Sequence, residues 1–178
     1  MCIRDRAVLD IGGGDGRELA VLREADTRVG YTAVVDLDEA SASAAQARGH
    51  EYFCTRVEDF RTERRFDLVM LQNLIEHVAD PVGVLSNLAE LLSPTGVIFV
   101  RTPNHDSIDA RLFRNRSWTG YHCPRHWVLF DKPSFERAVT TAGLATTQFR
   151  YIQGASFWAG STVAVSYTHL TLPTTPYV

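Results

Sequence analysis

The chain has 178 residues, of which 45% are hydrophobic and 22% charged, with a formal net charge of −3. That length carries one domain with a sizeable core, and the acidic balance excludes nucleic-acid binding through bulk positive charge. No apolar run reaches the roughly 20 residues of a membrane span, and the first residues carry no secretory signal. The three cysteines, Cys2, Cys54 and Cys123, form no C-x-x-C pair, so a reducing, cytoplasmic setting is expected rather than a disulfide scaffold.

Both ends read as non-native appendages. Residues 1–6 abut the first strand without a lead-in, and residues 165–178 hold four threonines and two prolines with no helical period. One domain is therefore expected over residues 7–164. Val8-Leu9-Asp10-Ile11 reads as a short buried strand, followed by glycines at 12, 13, 14 and 16 and then by Leu19, Ala20 and Leu22 at helical spacing. Residues 30–35 form a second apolar strand ending at Asp36. Asp38 caps a helix rich in alanine that stops at Gly49. Residues 52–54 form a third strand, and residues 61–65 a solvated connection.

Residues 66–71 are apolar almost throughout, as a strand buried on both faces should be. Asp80-Pro81 starts a helix with an N-cap acid and a proline in its first turn. Val84, Leu85, Leu88, Leu91 and Leu92 are placed on one face of it, and residues 93–96 end it. Residues 97–100 are a fifth strand. Ile108, Leu112 and Phe113 fit a short helix, Asp131 caps another that ends at Gly143, and residues 146–152 alternate as a sixth strand. Strands alternating with helices predict a Rossmann-like, doubly wound α/β fold with a mostly parallel sheet, its ligand at the carboxyl ends of the strands.

The glycine turn does not fit a dinucleotide fingerprint. G-x-G-x-x-G begun at Gly12 needs glycine where Arg17 stands; the register present is D-x-G-x-G-x-G from Asp10 to Gly16. Asp36, 20 residues beyond Gly16, ends the second strand with two oxygens that can accept from both hydroxyls of a ribose. The same device serves dinucleotides, so Asp36 points to a nucleoside without choosing among ligands.

With that register, the chain resembles class I S-adenosylmethionine-dependent methyltransferases. The run from Phe66-Asp67 through Ile75-Glu76-His77-Val78 to Asp80-Pro81 resembles the ubiquinone-biosynthesis-like group, with Ile75 in place of the usual leucine. Pro94-x-Gly96, Thr102-Pro103-Asn104, Pro124-Arg125-His126, Phe130 and Ala142-Gly143-Leu144 fit the same group, so the resemblance covers residues 7–152. It implies S-adenosyl-L-methionine as cofactor and methyl transfer to a small-molecule oxygen, nitrogen or carbon acceptor. By it, Asp10, Gly12, Gly13, Gly14 and Gly16 approach the amino-acid part of the cofactor. Asp36 and Leu37 flank its ribose, Glu58 and Asp59 its adenine, and Gln72 and Asn73 its methyl donor. A solvated acidic loop is the alternative for Glu58 and Asp59. The family's lid helix before the glycine turn and its last antiparallel strand, placed here at residues 161–168, are expected to be incomplete, with weak cofactor binding or poor stability as the consequence.

Two readings of His77 stay open: a general base, or a structural histidine bonded to backbone or to Glu76. His126 joins it as a catalytic candidate. Trp118, Tyr121, His122 and Arg125 are expected to form an acceptor loop, with Trp127 beside them; the alternative is that Trp127 and Phe130 simply pack the following helix. No metal is expected, because His122, Cys123 and His126 lie within five residues interrupted by proline and rarely converge on one ion. Two functional rivals remain: an NAD(P)-dependent oxidoreductase and a non-catalytic cofactor-binding domain.

Overall fold

Side chains alternate between the two faces of a strand, and this alternation organises the fold. In the computed structural model, which describes residues 6–114, 118–152, 155 and 157–162, β1 (Arg6–Ile11) is followed by α1 (Arg17–Ala25), β2 (Val29–Asp36), α2 (Glu39–Ala47), β3 (Glu51–Cys54) and β4 (Phe66–Gln72). A 3₁₀ turn at Ile75–His77 leads to α3 (Pro81–Glu90) and β5 (Leu92–Arg101). The short α4 (Ile108–Leu112), a second 3₁₀ turn at Thr119–Tyr121 and α5 (Lys132–Thr141) follow. The strands form one parallel sheet in the order β3-β2-β1-β4-β5.

Leu9 and Ile11 of β1, Ala33 and Val35 of β2, and Val69 and Leu71 of β4 join a core shared with Val84, Leu85 and Leu88 of α3 and Ala138 and Val139 of α5. Val8, Val34 and Met70 point the other way, against Leu19 of α1 and Ala45 of α2. The sheet is thus covered on both faces, which is why its central strands are mostly apolar on both sides. Asp67, the polar exception in β4, ties three strands together: it accepts from the Ala7 backbone N–H at 2.9 Å and from Ser93 Oγ at 2.8 Å.

The caps fall where the sequence places them. Asp38 accepts from Ala40 N at 3.1 Å and Asp80 from Gly83 N at 2.9 Å, and Asp131 forms a capping box with Ser134.

Several expectations are corrected. Leu91 and Leu92 are not on α3, which ends at Glu90; Leu92 already belongs to β5. There β5 bulges: Phe66 pairs with Leu92 and Leu68 with Val97, so the expected turn at 93–96 is an excursion within the strand. Residues 146–152 form no strand and are mostly exposed, Tyr151 and Ile152 at 69% and 70%. Alternation alone does not make a strand: the outer edges of the sheet are β3 and β5, and residues 146–152 pair with neither. Of the proposed last strand at 161–168, residues 161–162 are helical and the rest lie outside the described residues, as do 1–5 and all of 165–178. Arg6, counted with the N-terminal appendage, opens β1 and bonds to Arg28 O at 3.1 Å.

Candidate cofactor cavity and histidine cluster

The carboxyl ends of β1 and β4 lie side by side, but the chain leaves them for opposite faces, to α1 after β1 and to α3 after β4. Such a divergence opens a crevice at the strand ends. A cavity of about 440 Å³ occupies it, lined by Asp10, Gly12, Gly13, Asp15, Arg17, Glu18, Gln72, Asn73 and Arg101.

The glycine turn is held by backbone and by one carboxylate. Gly12 N donates to Val35 O at 2.7 Å and Gly16 N to Gly13 O at 2.9 Å. Gly14 N donates to Asp36 Oδ2 at 2.8 Å, while Asp36 Oδ1 accepts from Asp38 N at 3.0 Å. Asp36 therefore ties the turn to the end of β2 and keeps lone pairs for a ligand. Two positions require glycine. A Cβ on Gly13 would sit 2.6 Å from Asp10 Oδ2, and Gly16 has φ +72° with a Cβ position 2.4 Å from His50 Cδ2.

Asp10 is 2% exposed. Burial first, then the negative charges of Glu18 and Asp36, push its carboxyl up to about 7. Across the crevice Gln72 ends β4, and Asn73, at φ +52°, donates its N–H to Arg101 O at 2.8 Å.

Asp10, Gly12, Gly13, Gln72 and Asn73 thus line one cavity, while Gly14 and Gly16 shape its turn. Leu37 is exposed beside Asp36, Asp59 is exposed, and Glu58 is held 3.3 Å from Arg56 in a contact that lowers its carboxyl pKa. None of these three lines the cavity. Sequence reasoning missed Asp15, Arg17, Glu18 and Arg101; their positions directly after the turn and at the end of β5 were the available signal.

A second cluster lies beyond β4. Glu76 is fully buried; its Oε2 accepts from Thr102 Oγ1 at 3.0 Å, and its Oε1 has no hydrogen-bond partner among the described residues. Burial raises its carboxyl pKa. The Glu76 carbonyl accepts from Trp127 N at 2.8 Å and Val128 N at 3.3 Å, joining the 3₁₀ turn to the loop before α5.

That junction brings histidines together. His77 Nδ1 lies 2.9 Å from Arg125 O and His126 Nδ1 lies 2.7 Å from Gly120 O. Burial and the neighbouring His77 and His122 lower the pKa of His126. One ring nitrogen from each of His77, His122 and His126 lies within 4.8 Å of the others. The expectation that no metal ligands converge weighed only residues 122–126. Cys123 indeed stays exposed and outside the group, but His77 arrives from 45 residues upstream.

Trp118 needs correcting: it is an interior residue, 3% exposed, not a free pocket wall. Its Nε1–H donates to the buried Asp109 at 2.8 Å, and its ring meets Tyr121 at 5.3 Å. An indole with its N–H satisfied inside is the common form of a buried tryptophan. Tyr121 donates to Arg114 O at 3.0 Å and lines a second cavity of about 370 Å³ with His105, Arg111, Arg114 and Leu129. Phe130 is buried against Phe135 of α5, whereas Trp127 is 69% exposed.

Solved structures share this fold. A methyltransferase with its Trm112 activator from Haloferax volcanii superposes with a TM-score of 0.69 at 18% identity, over 86% of this chain and 70% of that one. The plantazolicin methyltransferase BpumL in complex with SAH gives 0.63 at 21% identity, over 76% and 54%. These likenesses show the fold.

In sequence, a ubiquinone biosynthesis O-methyltransferase of Rhodopseudomonas palustris (strain BisB5) is 36% identical over 113 residues, 59% of this chain and 43% of that protein. One from Neisseria meningitidis serogroup C is 35% identical over 113 residues, 57% and 46%. The chain thus spans less than half the length of these curated relatives. The model of the family described as "Methyltransferase domain" matches residues 2–148, which takes in the glycine turn, the β4 exit and the histidine loop. On that match, and with the parallel sheet and crevice it entails, the chain belongs to the methyltransferase-domain family.

Proposed function

We propose that this chain forms the cofactor-binding part of an S-adenosylmethionine-dependent methyltransferase acting on a small-molecule acceptor, with oxygen the favoured methylated atom. The observation that supports it most is the charge of the crevice. Burial, with the negative charges of Glu18 and Asp36 adding to it, raises the Asp10 carboxyl to about 7. In the cavity lining Asp10, Asp15 and Glu18 outnumber Arg17 and Arg101, and that acidic balance favours a cationic sulfonium and ammonium over the two negative charges of a dinucleotide pyrophosphate. The cradle at Gly13, where any Cβ would meet Asp10, fits the close approach of an amino-acid tail.

The cofactor, when bound, supplies an activated methyl group whose sulfur takes the electron pair as the carbon–sulfur bond breaks. The chain's own residues bind and orient. Asp10 would meet the ammonium, and the remaining lone pairs of Asp36 the ribose hydroxyls, beside Leu37. Glu58 and Asp59 stand on the adenine side, and Gln72 and Asn73 flank the reacting end. Positioning of this sort supplies much of the rate of an in-line displacement. Tyr121, His122 and Arg125 form the acceptor side with His77 and His126. The names of the relatives, ubiquinone biosynthesis O-methyltransferases, favour a hydroxyl acceptor.

The test is methyl transfer from labelled S-adenosylmethionine to a panel of phenolic, lipid and sugar acceptors. Labelled product with a hydroxyl acceptor is expected. Saturable cofactor binding without product from any acceptor would favour a non-catalytic binding domain instead.

A further inference from the structure

We propose that His77, His122 and His126 form a three-imidazole site for a divalent transition metal. The first support is convergence. Residues 76 and 127 are joined by the backbone bond from Trp127 N to Glu76 O at 2.8 Å, which sets their neighbours His77 and His126 side by side. Their ring centroids are 4.7 Å apart, and His122 stands 5.1 Å from His126 and 6.3 Å from His77. Arg125 N donates to His122 O at 2.8 Å, so the loop curls back and returns His122 to the pair.

The second support is the state of the nitrogens. A carbonyl oxygen can only accept, so the Nδ1 atoms of His77 and His126 carry the protons in their bonds to Arg125 O and Gly120 O. In a neutral imidazole this leaves Nε2 with a bare lone pair. An Nδ1–H bonded to a backbone carbonyl, with Nε2 left to bind, is the arrangement that orients histidine ligands in metal sites. His77 and His126 have it before any ion arrives.

The donor set selects the metal. Imidazole nitrogens suit Zn²⁺, Cu²⁺, Ni²⁺ and Fe²⁺, whereas Mg²⁺ and Ca²⁺ need oxygens that these three residues lack. Nitrogens about 2.0–2.1 Å from one zinc ion lie roughly 3.3 Å apart, about 1.5 Å closer than the widest spacing the three residues now allow. Three protein ligands leave a fourth position open, as in catalytic rather than structural zinc sites. Resting on the proposed function, that position would take a hydroxyl oxygen of the acceptor and acidify it.

The experiment adds Co²⁺, then Zn²⁺, to the purified chain, reading visible absorption for the first and heat for the second. The expected result is one ion per chain, the intense visible bands of four-coordinate Co²⁺, and no thiolate charge-transfer band. His122→Ala should weaken binding by about 100-fold or more with the melting temperature of the metal-free protein unchanged. Cys123→Ser should bind as the parent does. No binding by about 1 mM metal, or binding undiminished in His122→Ala, overturns the site. S-adenosylhomocysteine binding is measured on the same samples. A chain that takes up that ligand but no metal refutes this site alone, and one that takes up metal but not that ligand refutes the cofactor reading alone.

Discussion

Asp10→Asn is expected to stabilise the folded chain at pH 8 and to weaken cofactor binding. The folded-state carboxyl is raised from an ordinary 3.8 to about 7, mainly by burial. A raised acid binds its proton more tightly in the folded than in the unfolded state, so its contribution to stability falls as pH rises between those two values. The shift corresponds to a penalty on the order of 4 kcal/mol above pH 7. Asparagine is nearly isosteric and carries no such penalty. The gap between the two proteins should therefore be small near pH 4, open between pH 4 and 7, and stay constant above. Asp26, Glu58, Asp109 and Asp131, whose pKa values are lowered, act in the opposite sense but are common to both proteins and cancel in the difference.

The same substitution removes the carboxylate proposed to meet the ammonium of the ligand, so affinity for S-adenosylhomocysteine should fall about 10- to 100-fold, the range of a charge-assisted hydrogen bond. Thermal melts across pH, paired with calorimetry at pH 8, read both effects. An asparagine variant no more stable at pH 8 than the parent, with unchanged affinity, would contradict the account of Asp10. A residue that costs stability and gains affinity is one whose charge awaits a partner.

Glu76 is the second position where a large effect is expected, and here the effect is on stability. Its side chain is fully enclosed and accepts from Thr102. Truncation to alanine leaves a cavity and strands that hydroxyl, at a cost of about 2–4 kcal/mol. Glutamine keeps the shape and an acceptor for Thr102, and it removes a buried carboxyl whose pKa is already raised. Glu76→Gln should thus lie within about 1 kcal/mol of the parent at pH 7. Urea unfolding of both variants checks the contrast. Equal loss in the two would show that the charge itself, not the packing and the Thr102 bond, is what the site needs.

The residues that could be read correctly from sequence are those whose signal is local. The D-x-G-x-G-x-G register, Asp36 at a strand end and the caps at Asp38, Asp80 and Asp131 each depend on neighbours a few positions away. The features that escaped depend on partners far along the chain. His77 and His126 meet because Glu76 and Trp127, 51 positions apart, share a backbone bond. Trp118 looked like a loop aromatic among arginines, but its place is decided by Asp109, which gives its N–H a partner indoors. Residues 146–152 carry a strand's alternation, yet alternation fixes only which faces differ and not whether the segment docks on the free edge of β5 or β3. Leu91 and Leu92 continue the apolar stripe of α3, but the chain turns after Glu90 so that Leu92 can pair with Phe66.

The crevice between β1 and β4 is proposed to take an S-adenosyl nucleoside and not a dinucleotide. Titration calorimetry of the chain with S-adenosylhomocysteine and, separately, with NAD at equal concentrations tests it most directly. One-site saturation with S-adenosylhomocysteine and no saturation with NAD are expected; saturation with NAD, or none with S-adenosylhomocysteine, would overturn this assignment.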